Sequence, residues 1–248
     1  MGTKIAFIIA HKYYRGYTSY IEYYITNIKR YYDDALIIVV DNNSVNKKDI
    51  FDGLKKYDVT LLDNGISCKF EIGAYQVGMR YLIDSNLLDA IDYCVFTQDN
   101  FILKNRLDFN LLKDNGVTAC PINSWSPDRA HKDICQTVLS GIGLYNNMDK
   151  ITFCWCNSFI VANSKVAQLY GYFKTIVITT RIESCASERY LARILWELNG
   201  HKNNDIDGDI IPLKYLYDCW KVDPRSNISG VHFVKVVQQK NEKTVDKY

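Results

Sequence analysis

The sequence predicts an α/β protein, with a mostly parallel sheet, helices on both of its faces and a mixed C-terminal half. Three observations carry this. The segments "IAFIIAH" (5–11) and "ALIIVV" (35–40) are apolar without alternation, as strands buried on both faces are. Helix-patterned stretches separate such runs at short intervals as far as residue 97. Beyond that the rhythm is lost. The chain has 248 residues, 48% hydrophobic and 23% charged, an ordinary composition for a packed core.

The elements follow in order. After the strand 5–11, "TSYIEYYITNIKRYY" (18–32) has helical apolar spacing, with Thr18 or Ser19 as candidate N-cap. The tyrosines of this region read as packing. The strand 35–40 precedes an amphipathic helix at 46–57 and a third strand at 58–63. A helix is expected over 71–86 and a fourth strand over 92–97, ending in the polar tip Gln98-Asp99-Asn100. Crossovers of this kind are right-handed, and ligands bind beyond the carboxyl ends of the strands. That rule places His11, Asp41 and the 98–100 tip along one edge.

The second half is less regular. The polar stretch 123–133, with Pro121 and Pro127 nearby, reads as a long loop. "ITFCWCNSFIVA" (151–162) is a strand pair or one bent strand, and a helix follows at 164–173. "SERYLARILWELNG" (187–200) is a helix with Ser187 as its cap and Gly200 at C′. A last strand spans 228–237, and 238–248 is a solvated tail. With no internal repeat and no linker, one domain is the simplest account, its front half at 1–103 and its back half at 104–237.

Composition excludes some classes. The net charge of +2 shows no preference for nucleic acid. The six-residue apolar run near the N-terminus is too short for a signal peptide or a membrane span, so a cytoplasmic protein without a transmembrane anchor is expected. Eight scattered cysteines without CxxC read as buried free thiols of a reducing compartment. Cys154 and Cys156, spaced i, i+2 on a strand, are expected on one face.

Several segments carry chemistry or a plainer alternative. Asp41, ending "IIVVD", can accept hydrogen bonds from a base or ribose, or can close an Asx turn. Gly65, Gly73 and Gly78 permit close backbone approach, and a helix start near Ile72 can face an anion. No Walker loop and no Gly-rich dinucleotide fingerprint follows the first strand, which counts against nicotinamide, flavin and pyrophosphorylase chemistry. Gln98, Asp99 and Asn100 offer a divalent ion one carboxylate and two uncharged amides, or form a type I turn. Trp125 and Trp155, with Asn157, shape an acceptor surface or belong to the core.

Taken in order, "KIAFIIAHK", "LIIVVDNNS", "NGISCKFEIGAYQVGMRYL", "DYCVFTQDNFIL", "SERYLARILWELNG" and "SGVHFVKV" resemble the GT-A class of nucleotide-sugar glycosyltransferases, nearest the inverting family 2-like enzymes. The resemblance covers residues 4 to about 200 and extends to His232. It implies a Rossmann-like GT-A fold and a donor site taking in His11, Asp41, Asn43, Gly65, Lys69, Gly73, Gln98, Asp99, Asn100 and Lys235. The family's DxD falls on Gln98-Asp99-Asn100, so a Mn²⁺ or Mg²⁺ ion is implied at Asp99, Asn100 and His232, although both outer acids are amides. The general base falls on Glu188, with Glu183 in reserve; Arg189 stands where a second acid is usual. A base at a helix N-terminus would be held ionised by the dipole. The implied activity is transfer from a nucleoside diphosphate sugar, UDP- before GDP-linked, to a hydroxyl of a glycan or similar acceptor, with inversion. The Tyr-, Asn-, Lys- and Ile-rich composition is similar to that of giant-virus transferases. The alternatives are an inactive GT-A-like domain that binds carbohydrate or nucleotide, and a nucleotidyltransferase.

Overall fold

The computed structural model describes residues 3–13, 19–44, 47–107, 109, 117–122, 129–144, 153–200, 211–212, 215–216 and 231–236. Three largely apolar runs form its centre: β1 (Ile5–His11), β2 (Leu36–Asp41) and β4 (Tyr93–Gln98). With β3 (Thr60–Asp63) they make four parallel strands, extended by β7 (Phe153–Ala162), β6 (Val117–Ile122) and β8 (Ile211–Pro212). The order is β3-β2-β1-β4-β7-β6-β8. β7 runs antiparallel to both β4 and β6, which is where the mixed character enters. The α/β architecture and the irregular second half are as the sequence predicts.

One face of this sheet is covered by helices α3 (Phe70–Asp84), α4 (Arg129–Gly141), α5 (Asn163–Phe173) and α6 (Arg181–Leu198). Even-numbered β1 residues, Ala6 and Ile8, point there, beside Ile38, Tyr75, Phe96 and Trp196. Phe96 and Phe159 stack at 4.4 Å with Tyr75 edge-on to both, an arrangement worth about 1 kcal/mol beyond burial. On the opposite face Phe7, Ile9 and Val39 meet α1 (Ile21–Tyr31) and a three-stranded sheet. That small sheet, β5 (Phe101–Leu103), β10 (Phe233–Lys235) and β9 (Tyr215–Leu216), is built from segments 130 residues apart and has no local signature. α2 (Lys47–Leu54) contributes Leu54 to the same face. Of the N-terminal tyrosines, Tyr24 and Tyr32 are buried and Tyr20, Tyr23 and Tyr31 pack against the same cluster, while Tyr14 and Tyr17 lie outside the described residues.

Several expectations are corrected. The 123–133 segment is not a loop throughout, because α4 begins at Arg129; Ile134, Cys135, Val138 and Leu139 give it an apolar stripe. α1 is capped at Tyr20 without a side-chain bond, although Ser19 Oγ accepts from Ile21 N at 3.4 Å; Thr18 lies outside the described residues. β7 is one bent strand. Its bend is at Cys156 and Asn157, both left-handed at φ 53° and 50°. This breaks the two-residue alternation, so Cys154 joins the helical face and Cys156 the other. Six cysteines are described as free thiols, five of them buried. The end strand is short, spanning Phe233–Lys235, and the 238–248 tail lies outside the described residues.

α6 begins six residues before the expected cap. Thr180 Oγ1 accepts from Glu183 N at 3.3 Å, and Glu183 Oε2 accepts from Thr180 N at 2.8 Å, a reciprocal capping box. Ser187 is wholly buried within the helix and donates to Ser184 O at 2.7 Å. Gly200 does stand at C′ with φ +83°. Replacing Thr180 by Ala should cost about 1 kcal/mol, read as a lower thermal midpoint with little change in the denaturant m-value. Among the described residues no helix is long and apolar enough to cross a membrane.

Candidate functional site

The strand order reverses between β1 and β4: β2 and β3 lie to one side of β1, and β4 lies to the other. At such a switch point the loops leaving adjacent strands diverge and open a crevice. A cleft of about 320 Å³ lies there, lined by Ala10, His11 and Lys12 after β1, Asn42 after β2, Phe70 and Glu71 of α3, Gln98–Asn100, and Arg181 of α6.

Its floor is a histidine–carboxylate pair. His11 is 1% exposed and donates from Nδ1 to Asp99 Oδ2 at 2.6 Å. The same oxygen accepts from Lys12 N at 3.1 Å. Strand register makes the pair, since Ala10 stands opposite Gln98. His11 Nε2 and Asn100 Oδ1 are buried without a protein partner.

Glu71 and Gln98 form the side wall. Gln98 Nε2 donates to Glu71 Oε1 at 2.9 Å and to Cys156 O at 3.1 Å, while Ser184 Oγ donates to Glu71 Oε2 at 3.3 Å. Phe70, first residue of α3, has φ 57°, a conformation bulky side chains rarely adopt. Its carbonyl accepts from Asn42 Nδ2 at 2.7 Å, which fixes the helix start against the end of β2.

Behind the wall lies Glu188. Its Oε1 accepts from Cys156 N at 2.9 Å, a donor presented by the bend in β7. Burial pushes its carboxyl up to about 7, and Glu71 adds to this; the Cys156 N–H and Lys235 oppose it. Lys235 donates from Nζ to Cys156 Sγ at 2.5 Å and lies over the rings of Phe101 and Trp155. Glu188 is the eighth residue of α6, not its first turn, so the helix start does not hold it ionised as expected. A carboxyl near 7 is matched to proton transfer at neutral pH.

The structure thus brings His11, Gln98, Asp99 and Asn100 into one cleft, and Glu188, Trp155, Asn157 and Lys235 to the bend beside it. Asn157 is 2% exposed and accepts from Ser187 Oγ at 3.1 Å, so it ties β7 to α6. Asp41 is fully buried and its Oδ2 closes an Asx turn on Ser44 N at 3.0 Å; it does not line the cleft. Asn43 takes the left-handed turn position at φ 59°. Gly65 has open space around it, whereas a Cβ on Gly73 would stand 2.0 Å from Cys68 O, and one on Gly78 2.5 Å from Ile8 Cγ2. Gly73 and Gly78 therefore serve helix packing. Lys69 caps α3 and donates to Ile66 O at 2.9 Å. Glu183 is committed to its capping box, where the Thr179 N–H above all holds its carboxyl below the usual range. Trp125 lies outside the described residues.

His232 does not join the tip. β10 runs antiparallel to β5, so Lys235 stands opposite Phe101 and His232 lies three residues, ~10 Å, further from Asn100. Among the described residues no three His, Cys, Asp or Glu side chains converge as a metal site. Asp99 is engaged by His11 and Lys12, Glu71 by Gln98 and Ser184, and two cations share the cleft. With only two carboxylates, both already hydrogen-bonded, and two cations in the same cleft, this lining is a poor fit for a resident Mn²⁺ or Mg²⁺ ion.

Sequence reasoning missed Lys12, Asn42 and Arg181 as cleft residues, and placed Phe70 and Glu71 there only as part of the glycine-bearing stretch around the expected helix start. The second residue of "DNNS" and the motif "TRIE" at 180–183 were the available signals; the latter places Arg181 at a helix start. No protein-family model and no curated protein matches this chain.

Proposed function

We propose that this protein is a GT-A-type glycosyltransferase, moving a sugar from a nucleoside diphosphate sugar, UDP-linked by preference, to an acceptor hydroxyl. The observation that carries the reading is the cleft at the β1/β4 strand reversal, with Lys12 and Arg181 on its walls and a carboxyl poised near 7 behind it. A diphosphate carries negative charge of the kind the Lys12 and Arg181 side chains attract. In the proposed reaction the acceptor oxygen attacks the anomeric carbon and its proton passes to Glu188. The bond from that carbon to the diphosphate oxygen breaks, with inversion. The nucleoside diphosphate leaves carrying the bonding pair, and the cationic walls stabilise its charge. No step runs through a metal.

Calorimetry with a panel of UDP- and GDP-sugars, followed by product detection with glycan acceptors, tests the reading. Binding of at least one donor together with transfer is the expected result. Absence of nucleotide binding under every condition would sink the proposal. Binding without transfer or donor hydrolysis would favour a nucleotide-binding domain that does no chemistry.

A further inference from the structure

The bend in β7 is unusual backbone, and its hydrogen bonds show what holds it. Cys156 and Asn157 are consecutive non-glycine residues with φ 53° and 50°. That conformation is unfavourable for residues with a Cβ and persists only where the surroundings fix it. Three other elements do so here. From β4, Gln98 Nε2 donates to Cys156 O at 3.1 Å. From α6, Glu188 Oε1 accepts from Cys156 N at 2.9 Å, and Ser187 Oγ donates to Asn157 Oδ1 at 3.1 Å. From β10, Lys235 Nζ donates to Cys156 Sγ at 2.5 Å. Cys156 thus receives Gln98 at its carbonyl and offers its N–H to Glu188, so one residue joins the two side chains. Gln98 Nε2 also donates to Glu71 Oε1 at 2.9 Å. The other oxygen of Glu71 accepts from Ser184 Oγ at 3.3 Å, one helical turn before Glu188.

We infer that Gln98 is a positioning residue for Glu188: its amide ties the bend of β7 to α3, and the bend keeps the Cys156 N–H on the carboxyl. That Glu188 then takes an acceptor proton rests on the transferase reading; the tie itself does not. The charged groups acting on Glu188 are Glu71 from α3, Lys235 from β10 and Arg189 beside it on α6. The Cys156 thiol of β7 is pushed up to about 12 by burial. Burial above all raises the Glu188 carboxyl and Glu71 adds to it, while the Cys156 N–H, Lys235 and Arg189 oppose them. Freeing the bend takes a donor from the carboxylate and moves its titration upward, whereas discharging Glu71 moves it downward. General loosening of the fold would not give the two opposite signs.

The test uses the full chain and reads the Glu188 carboxyl directly, by its carbon-13 shift as pH is varied around neutrality. The resonance is assigned as the one missing from Glu188→Gln. Gln98→Leu keeps the bulk and removes both donors, and should raise the titration midpoint by about 0.5 pH or more. Gln98→Asn, one methylene too short to span both acceptors, should do the same. Glu71→Gln keeps an oxygen for Gln98 to donate to, and should lower the midpoint. Thr180→Ala weakens the start of α6 without touching the bend, and should leave the midpoint in place. Gln98 is half-buried, so leucine is expected to fold there, which circular dichroism checks; the asparagine variant carries the test if it does not. A folded Gln98 variant that titrates as the parent does overturns the inference. So does a shift of the same sign in the Gln98 and Glu71 variants, or an equal shift in Thr180→Ala. Opposite shifts in a protein that binds no nucleotide support the tie and remove the transferase reading. Unchanged midpoints beside measurable sugar transfer remove the tie alone.

Discussion

Glu188→Gln should lower sugar transfer by about 10²- to 10⁴-fold while nucleotide affinity stays within about twofold. The amide keeps the size of the side chain and an oxygen for the Cys156 N–H, so the bend in β7 is preserved. What it loses is the ability to take the acceptor proton. Initial rates and calorimetry separate the two effects, and retained activity would remove Glu188 from the role. The parent's rate should rise with pH through about 7, since the base must be ionised and burial holds the carboxyl near that value. Stability should move the other way. The native carboxyl titrates near 7 and the unfolded one near 4.5, so the folded state binds the extra proton between these values. Stability is therefore full below about 4.5 and falls as pH rises to about 7, by at most about 3 kcal/mol. Glu188→Gln should flatten that slope, as denaturant midpoints at several pH values would show.

Gly73→Ala is the second large effect. The added methyl would lie 2.0 Å from the Cys68 carbonyl oxygen and 2.6 Å from its carbon, both backbone atoms in a loop that Asn64 Nδ2 already anchors at 2.9 Å. Rotamer change cannot relieve such a clash. A loss of about 3 kcal/mol is expected, roughly 6–12 °C in thermal midpoint for a chain of this size. Nucleotide binding should weaken with it, because the loop leads into Phe70 and Glu71 of the cleft wall. Gly65→Ala, with nothing within 4 Å of its new methyl, should change stability by less than about 0.5 kcal/mol. Equal effects at both positions would refute the packing role of Gly73.

The contrast between these glycines shows what could be read before the structure. Strands buried on both faces announce themselves by composition, so β1, β2 and β4 and the edge bearing His11 and Asp99 were legible. A glycine's presence is legible too, but not whether a ligand or a neighbouring carbonyl demands it. The start of α6 was in the sequence as Thr180 and Glu183, yet the local pattern after Ser187 looked equally like a cap, and only burial distinguishes them. The pairing of β5 with β10 and the hydrogen bond from His11 to Asp99 join residues about 130 and 88 positions apart. No local periodicity encodes such contacts. Glu71 carries no local mark of its role, since its partners Gln98 and Ser184 come from β4 and α6.

The cleft takes residues from Ala10 through Arg181, with the floor from the early strands and one cationic wall from the start of α6. The front half of the chain is therefore not a portable nucleotide module. A chimera joined anywhere between 104 and 180 would inherit the His11–Asp99 floor from one parent and the arginine wall from the other. Exchange of whatever ligand preference the cleft has would have to carry both segments together.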